Sequence, residues 1–149
     1  KSKDVRLGVV EALMTRTDRV SISTLIKLTR DKSEETRDWA TFALGTQIDI
    51  DTPAIREALM KRIDDSDCNT KCEAILGLAR RKDKRVFPVI RQELMKPNPT
   101  SLIFEAAEEF GDKSLLPLIE KQILSIDGQT SDMWLTDVKY ARDKLSSIS

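Results

Sequence analysis

The chain has 149 residues, 34% charged and 40% hydrophobic, with 25 Lys plus Arg balancing 25 Asp plus Glu, so it can bury one core and carries no net field favouring nucleic acid or an anionic membrane. It has no histidine, which removes the commonest metal ligand and the usual general base near neutral pH, and its two cysteines are too few for a disulfide framework or a four-thiolate zinc site. Five glycines and five prolines leave little turn material for a many-stranded fold, and no apolar run reaches the roughly 20 residues that span a bilayer. A soluble, cytoplasmic, helical protein with no membrane partner is expected.

Apolar residues recur at three- and four-residue spacing along most of the chain, and sustained strand alternation is absent. In chain order the pattern predicts helices over 4–16, 18–30, 34–47, 52–64, 70–81, 84–96, 100–111 and 113–125. Thr52 before Pro53 and Asn69 before Thr70 are the expected starts of two of them, since a side-chain oxygen there can accept from orphan amides of the first turn. Residues 125–130 read as a linker. A last helix over 131–146 sets Met133, Trp134, Val138, Ala141 and Leu145 on one face and Lys139, Arg142, Asp143 and Lys144 on the other, as a capping helix would. The N-terminal end has no comparable cap, which fits either a chain that continues upstream or an exposed apolar edge available for a weak homodimer.

These helices repeat. Thr36-Arg37 with Ala40 and Leu44 matches Thr70-Lys71 with Ala74 and Leu78 at a shift of 34 residues, and Val5-Arg6 with Leu13 matches the former at a shift of 31. Asp83 and Pro88-Val89-Ile90 match Asp112 and Pro117-Leu118-Ile119 at a shift of 29. Units of this length, each two short helices, cannot bury an apolar stripe alone and must stack on their neighbours. The pattern carried by Thr70-Lys71, Ala74, Leu78, Ala79, Asp83, Val86, Pro88 and Ile90 resembles HEAT repeats of the short, bacterial, phycobilisome-lyase-like type. That resemblance covers roughly residues 5–125 and implies an all-α, right-handed α-solenoid of about four helix pairs (approximately 5–35, 36–69, 70–98 and 99–125) plus the capping helix. Thr36 and Thr70 depart from the family's usual Val, and Pro99-Thr100 replaces its Val-Arg pair.

The resemblance further implies a concave face lined by the helices over 34–47, 70–81 and 100–111. Outward positions there are Asp38, Trp39, Phe42 and Thr46, then Cys72, Glu73, Leu76 and Arg80, then Ser101, Leu102, Glu105 and Glu109. Large apolar groups at outward positions mark either a binding surface or packing between neighbouring helices. The expected function is a non-enzymatic scaffold that binds a protein or peptide through Asp38, Trp39, Phe42, Glu73, Leu76, Arg80, Leu102 and Glu105. An alternative is nucleic-acid or phosphate binding by the basic turn of Arg80, Arg81, Lys82, Lys84 and Arg85, which otherwise reads as a solvated turn. A third reading, a small enzyme using a carboxylate pair such as Glu105 and Glu109, rests on a spacing too common to carry it. Cys68 and Cys72 read as unremarkable thiols, and the Asp65–Asn69 stretch fails as a calcium loop because Thr70 and Leu76 stand where Gly and Glu are needed. No catalytic residue, metal or cofactor is expected.

Overall fold

Short side chains with an oxygen set the helix starts. Ser2 accepts from the amide of Val5, Asp18 from those of Val20 and Ser21, and Thr52 from that of Ile55, each satisfying first-turn donors that a helix leaves unpaired. The helix expected to open at Asn69 opens earlier. Asp67 is its cap, accepting from the Thr70 amide at 2.8 Å and the Thr70 hydroxyl at 2.6 Å, so Cys68 lies in the first turn instead of a loop. Asp83 and Asp112, paired by the sequence repeat, each accept from the amide two residues on and open a 3-10 turn. Pro88 and Pro117 follow in the first turn of the next helix, where a missing N–H costs nothing.

The computed structural model describes residues 2–125 and 132–148, and among these the regular structure is helical throughout, with no strand. Its helices are α1 (Lys3–Leu13), α2 (Arg19–Leu28), α3 (Glu34–Phe42), α4 (Pro53–Met60), α5 (Cys68–Arg80), α6 (Phe87–Leu94), α7 (Ser101–Phe110), α8 (Leu116–Leu124) and α9 (Asp132–Ser146). Most of the expected linker, 126–130, lies outside the described residues. The element expected over 34–47 is not one α-helix: α3 gives way to a π-helical turn, Ala43–Gln47, closed by the Ile48 amide on the Ala43 carbonyl at 3.0 Å.

The odd-numbered helices pack in succession, α1 on α3, α3 on α5, α5 on α7 and α7 on α9. The even-numbered helices lie against them: α2 on α1 and α3, α4 on α5, α6 on α5 and α7, α8 on α9. One continuous apolar core runs between, from Val10 and Leu25 through Leu44, Ile55, Leu59, Ile75 and Leu78 to Ile103, Phe104, Ile119, Val138 and Leu145. Charged pairs stitch the edge of the odd helices at repeat-related positions. Arg6 holds Asp31 (2.6 Å), Arg37 holds Asp65 (2.9 Å) and Lys71 holds Glu93 (2.5 Å), so the basic residue of the repeated pair has the same task each time. The Arg6 guanidinium keeps the Asp31 carboxyl below its usual proton affinity.

At the centre, α5 meets the π turn with backbone against backbone. A Cβ added at Gly77 would stand 2.6 Å from the Gly45 Cα, a separation that no side chain can occupy. Beside this crossing the Arg81 guanidinium, nearly enclosed with its side chain 6% exposed, donates to the carbonyls of Leu44, Gly45, Ile48, Ile50 and Gly77 at 2.7–3.1 Å. It thereby satisfies the open C-terminal end that the π turn would otherwise bury unpaired.

Three outcomes follow for urea unfolding. Gly77→Ala lowers stability by about 1–3 kcal/mol through overpacking against backbone, whereas Gly8→Ala, with open space around it in α1, raises stability by up to about 1 kcal/mol. Arg81→Met keeps the volume but orphans the carbonyls, and lowers stability by about 3 kcal/mol or more at an unchanged denaturant slope.

Candidate functional site

The outward side chains of α3, α5, α7 and α9 share one face. Trp39 is 41% exposed and meets the half-buried Phe42 edge to face, with ring centroids 5.7 Å apart. Glu73 of α5 stands next along the face and accepts from the Thr46 hydroxyl at 3.2 Å. Glu105, Glu108 and Glu109 of α7 follow, and Asp137 and the 55% exposed Tyr140 of α9 close the row. These α7 and α9 residues, with Ser101, line a recess of about 360 Å³. A second recess of about 210 Å³ joins Glu109 to Arg80, Asp49 and the π turn.

The face is dominated by carboxylates that lack counter-charges. Among the described residues Asp38, Glu73, Glu105, Glu109 and Asp137 make no ion pair, while Glu108 has Lys144 at 3.8 Å. Burial pushes the Glu73 carboxyl up to about 7, and the neighbouring charges of Asp38 and Glu105 push the same way. Glu105 is raised by partial burial and then by Glu109, Glu108 and Asp137, with Arg80 opposing. Asp38 is raised by burial and by Asp67, and its Oδ1 is shut off from solvent without a hydrogen-bond partner. Each shift has the same leading cause, partial burial of the carboxyl, and a neighbouring carboxylate adds to it. No group of three or more His, Cys, Asp or Glu among the described residues is arranged to hold a metal ion.

Several expected site residues lie elsewhere. Leu76 was expected to face outward and instead is 1% exposed, packed in the core, because α5 is covered on both sides by α3 and α7 and keeps only a narrow free strip. The same coverage buries Cys72, whose thiol accepts from the Thr100 hydroxyl at 3.4 Å and is pushed up to about 11 by burial. Leu102 is half-buried against the core.

The basic turn is not an open phosphate cradle. Arg81 is enclosed, with both terminal nitrogens engaged by backbone carbonyls. Arg80 donates to the Thr46 carbonyl at 2.7 Å, and Lys82 donates to the carbonyls of Glu109 and Phe110 at the end of α7. Arg85 holds Asp83 (2.8 Å) and Glu57 (2.5 Å), its contact holding the Asp83 carboxyl down at about 2. Cations at helix C-termini complement the exposed carbonyl dipoles there, so this run ties neighbouring helix ends together. Lys84 alone of the five is exposed with no such bond among the described residues.

The chain is similar to Protein YibA of Escherichia coli. Its K12 and O157:H7 forms are each 37% identical over 127 residues, 85% of this chain and 45% of the relative. The crystal structure of Escherichia coli YibA superposes with a TM-score of 0.82 at 34% identity, covering 99% of this chain and 50% of that one. The chain therefore spans about half the length of the curated relatives it matches. No family model matches it. The solved relative and this chain share an all-helical fold. No helix among the described residues is long and apolar enough to cross a membrane.

Asp137, Tyr140 and Glu108 belong to the face but were not among the expected site residues. Asp137 and Tyr140 stand three apart beside the buried stripe of Val138, Ala141 and Leu145, a boundary position visible in the heptad-like spacing. Their membership depends on α9 packing against α7, and that contact has no local signature. Trp134, expected as core, is half-buried against Phe104 with its indole N–H on the Pro99 carbonyl at 2.8 Å.

Because Glu73 binds its proton more tightly folded than unfolded, ionising it destabilises the fold. That penalty is absent below its ordinary value of 4.5, grows as pH rises from there, and is complete above about 7. Glu73→Gln therefore raises unfolding free energy at about pH 8 by on the order of 1–3 kcal/mol over its effect at about pH 4.5, read as the difference from wild type in paired urea titrations.

Proposed function

We propose that the protein is a non-enzymatic, HEAT-like α-solenoid scaffold that binds a protein partner on the face formed by α3, α5, α7 and α9. The observation that carries this reading is the continuous row of uncompensated, partly desolvated carboxylates flanked by exposed aromatics. A surface of that kind is unfavourable in the free protein, and a complementary partner relieves it. The solenoid part of the reading is supported by the successive packing of the odd-numbered helices and by the sequence period, in which the same Arg–Asp edge pair recurs. Such a stack presents an extended surface to which each unit contributes one strip. The HEAT-like assignment rests on the residue pattern around Thr70–Ile90 and on the Asp-capped 3-10 turns with their following prolines.

Binding is favoured over catalysis because the recesses are shallow, the larger lined by carboxylates and the smaller by arginines and carboxylates, without the nucleophile, base and oxyanion donors that a reaction centre brings together. Cytoplasmic residence accords with the free thiols of Cys68 and Cys72.

The test places a photo-reactive phenylalanine analogue at Trp39 or, as control, at Leu124, which is 86% exposed on α8. In cells that make the protein naturally, irradiation joins one defined protein to position 39 and not to position 124. Equal products from both positions, or none from position 39, overturn the reading.

A further inference from the structure

We propose that the occupant of this face is an extended, lysine- or arginine-rich segment of the partner, with a basic residue at about every third position. The inference rests on the scaffold reading above and adds the chemistry of what is bound.

Net charge is zero, yet the charges are segregated. Most of the arginines and lysines of the central helices are already engaged, in the edge pairs with Asp31, Asp65 and Glu93 or on carbonyls at helix ends. What remains along one face is Asp38, Glu73, Glu105, Glu109 and Asp137, with Arg80 as the near cation. Three independent features point to the kind of ligand. The carboxylates do not converge: no group of three among the described residues is placed to hold a metal ion, so the matching positive charge must be distributed. They stand on successive packed helices, whose axes lie roughly 8–10 Å apart in such packing, while a chain extended in the polyproline II conformation advances about 3.1 Å per residue with three residues per turn, so side chains three residues apart point the same way and meet successive helices. Trp39, exposed at one end of the row and held in place by Phe42, offers a ring face that suits guanidinium stacking, and Tyr140 at the other end already carries the Lys144 ammonium over its ring, 5.6 Å from the centroid.

The raised proton affinity of Glu73 gives the complex a pH dependence. A basic segment favours the ionised carboxylate, so binding releases a proton and weakens as pH falls below about 7. Asp38, Glu105 and Thr46 are the polar groups that face Glu73 from α3, α7 and the π turn, and Asp38 and Glu105 are raised in the same direction.

The experiment uses fluorescence anisotropy with a labelled peptide of five Arg-Gly-Ser units, a Glu-Gly-Ser counterpart, and a peptide of the same composition with its five arginines contiguous. The spaced arginine peptide is expected to bind, the glutamate peptide not to, and the contiguous isomer to bind about tenfold more weakly because fewer side chains reach a carboxylate. Glu73→Gln with Glu105→Gln weakens the spaced peptide by about tenfold, while Glu57→Gln with Glu120→Gln, equal in charge but on α4 and α8, leaves it unchanged. Neutralising Glu73 and Glu105 relieves repulsion, so lost binding in that variant does not come from unfolding, and circular dichroism checks this directly. Equal binding of all three peptides, no binding of the spaced arginine peptide at low salt, or indifference to the α5 and α7 substitutions overturns the proposal. Cross-linking from position 39 that persists at full yield in the Glu73→Gln, Glu105→Gln background overturns the charge chemistry while leaving the scaffold reading standing. Absence of cross-linking in the wild-type background overturns both.

Discussion

The contact between Gly45 and Gly77 governs the middle of the molecule. Two backbones approach closely enough there that neither position tolerates a Cβ without displacement, and α5 is thereby drawn against the end of the preceding helix instead of resting on its side chains. Such closeness buries carbonyls that water would otherwise satisfy. Arg81 resolves this with its planar fork, which reaches carbonyls on both sides of the crossing at once, a geometry that the compact ammonium of a lysine does not reproduce. The π turn, Arg81 and the glycine pair therefore form one unit: removing any part leaves the others strained or unpaired.

The position of the carboxylate row follows from that unit. Drawing α5 inward leaves only a narrow strip of it exposed, and Glu73 occupies that strip with Thr46 of the π turn beside it. A Glu placed on an open helix surface would keep an ordinary proton affinity. Glu73 does not, because neighbours on α3 and α7 remove water from around it and add like charge. Ionised Glu73 therefore works against the stability of the fold along this face.

The basic stretch from Arg80 to Arg85 illustrates how charge in a sequence can mislead. A run of cations at a turn reads as an anion site, and its composition would suit one. Folding instead brings three helix C-termini and two carboxylates within reach, and nearly every cation is committed to one of them. Along the α3, α5, α7 and α9 face the uncommitted charges are negative, the reverse of what the longest like-charged run suggests.

Helical class, the positions of most helices and the repeat were all legible in the residues, because they depend on local matters: three- and four-residue apolar spacing, side-chain caps such as Thr52, and the recurrent Asp and Pro that open successive helices. Outward positions for Trp39, Glu73 and Glu105 could also be read from the periodicity, but periodicity leaves open whether Trp39 is exposed or packed between helices, and the fold decides it. What a helix buries, by contrast, depends on how many neighbours cover it. A periodicity argument allots every helix one inner and one outer face, so Leu76 and Cys72 were placed outside when α3 and α7 together enclose them. The break of the α3 helix into a π turn, the service of Arg81 at five carbonyls and the addition of Asp137 and Tyr140 to the face were decided by tertiary structure alone, since each arises where segments about 30 or more residues apart in sequence meet, and loop closure over such distances leaves no local trace.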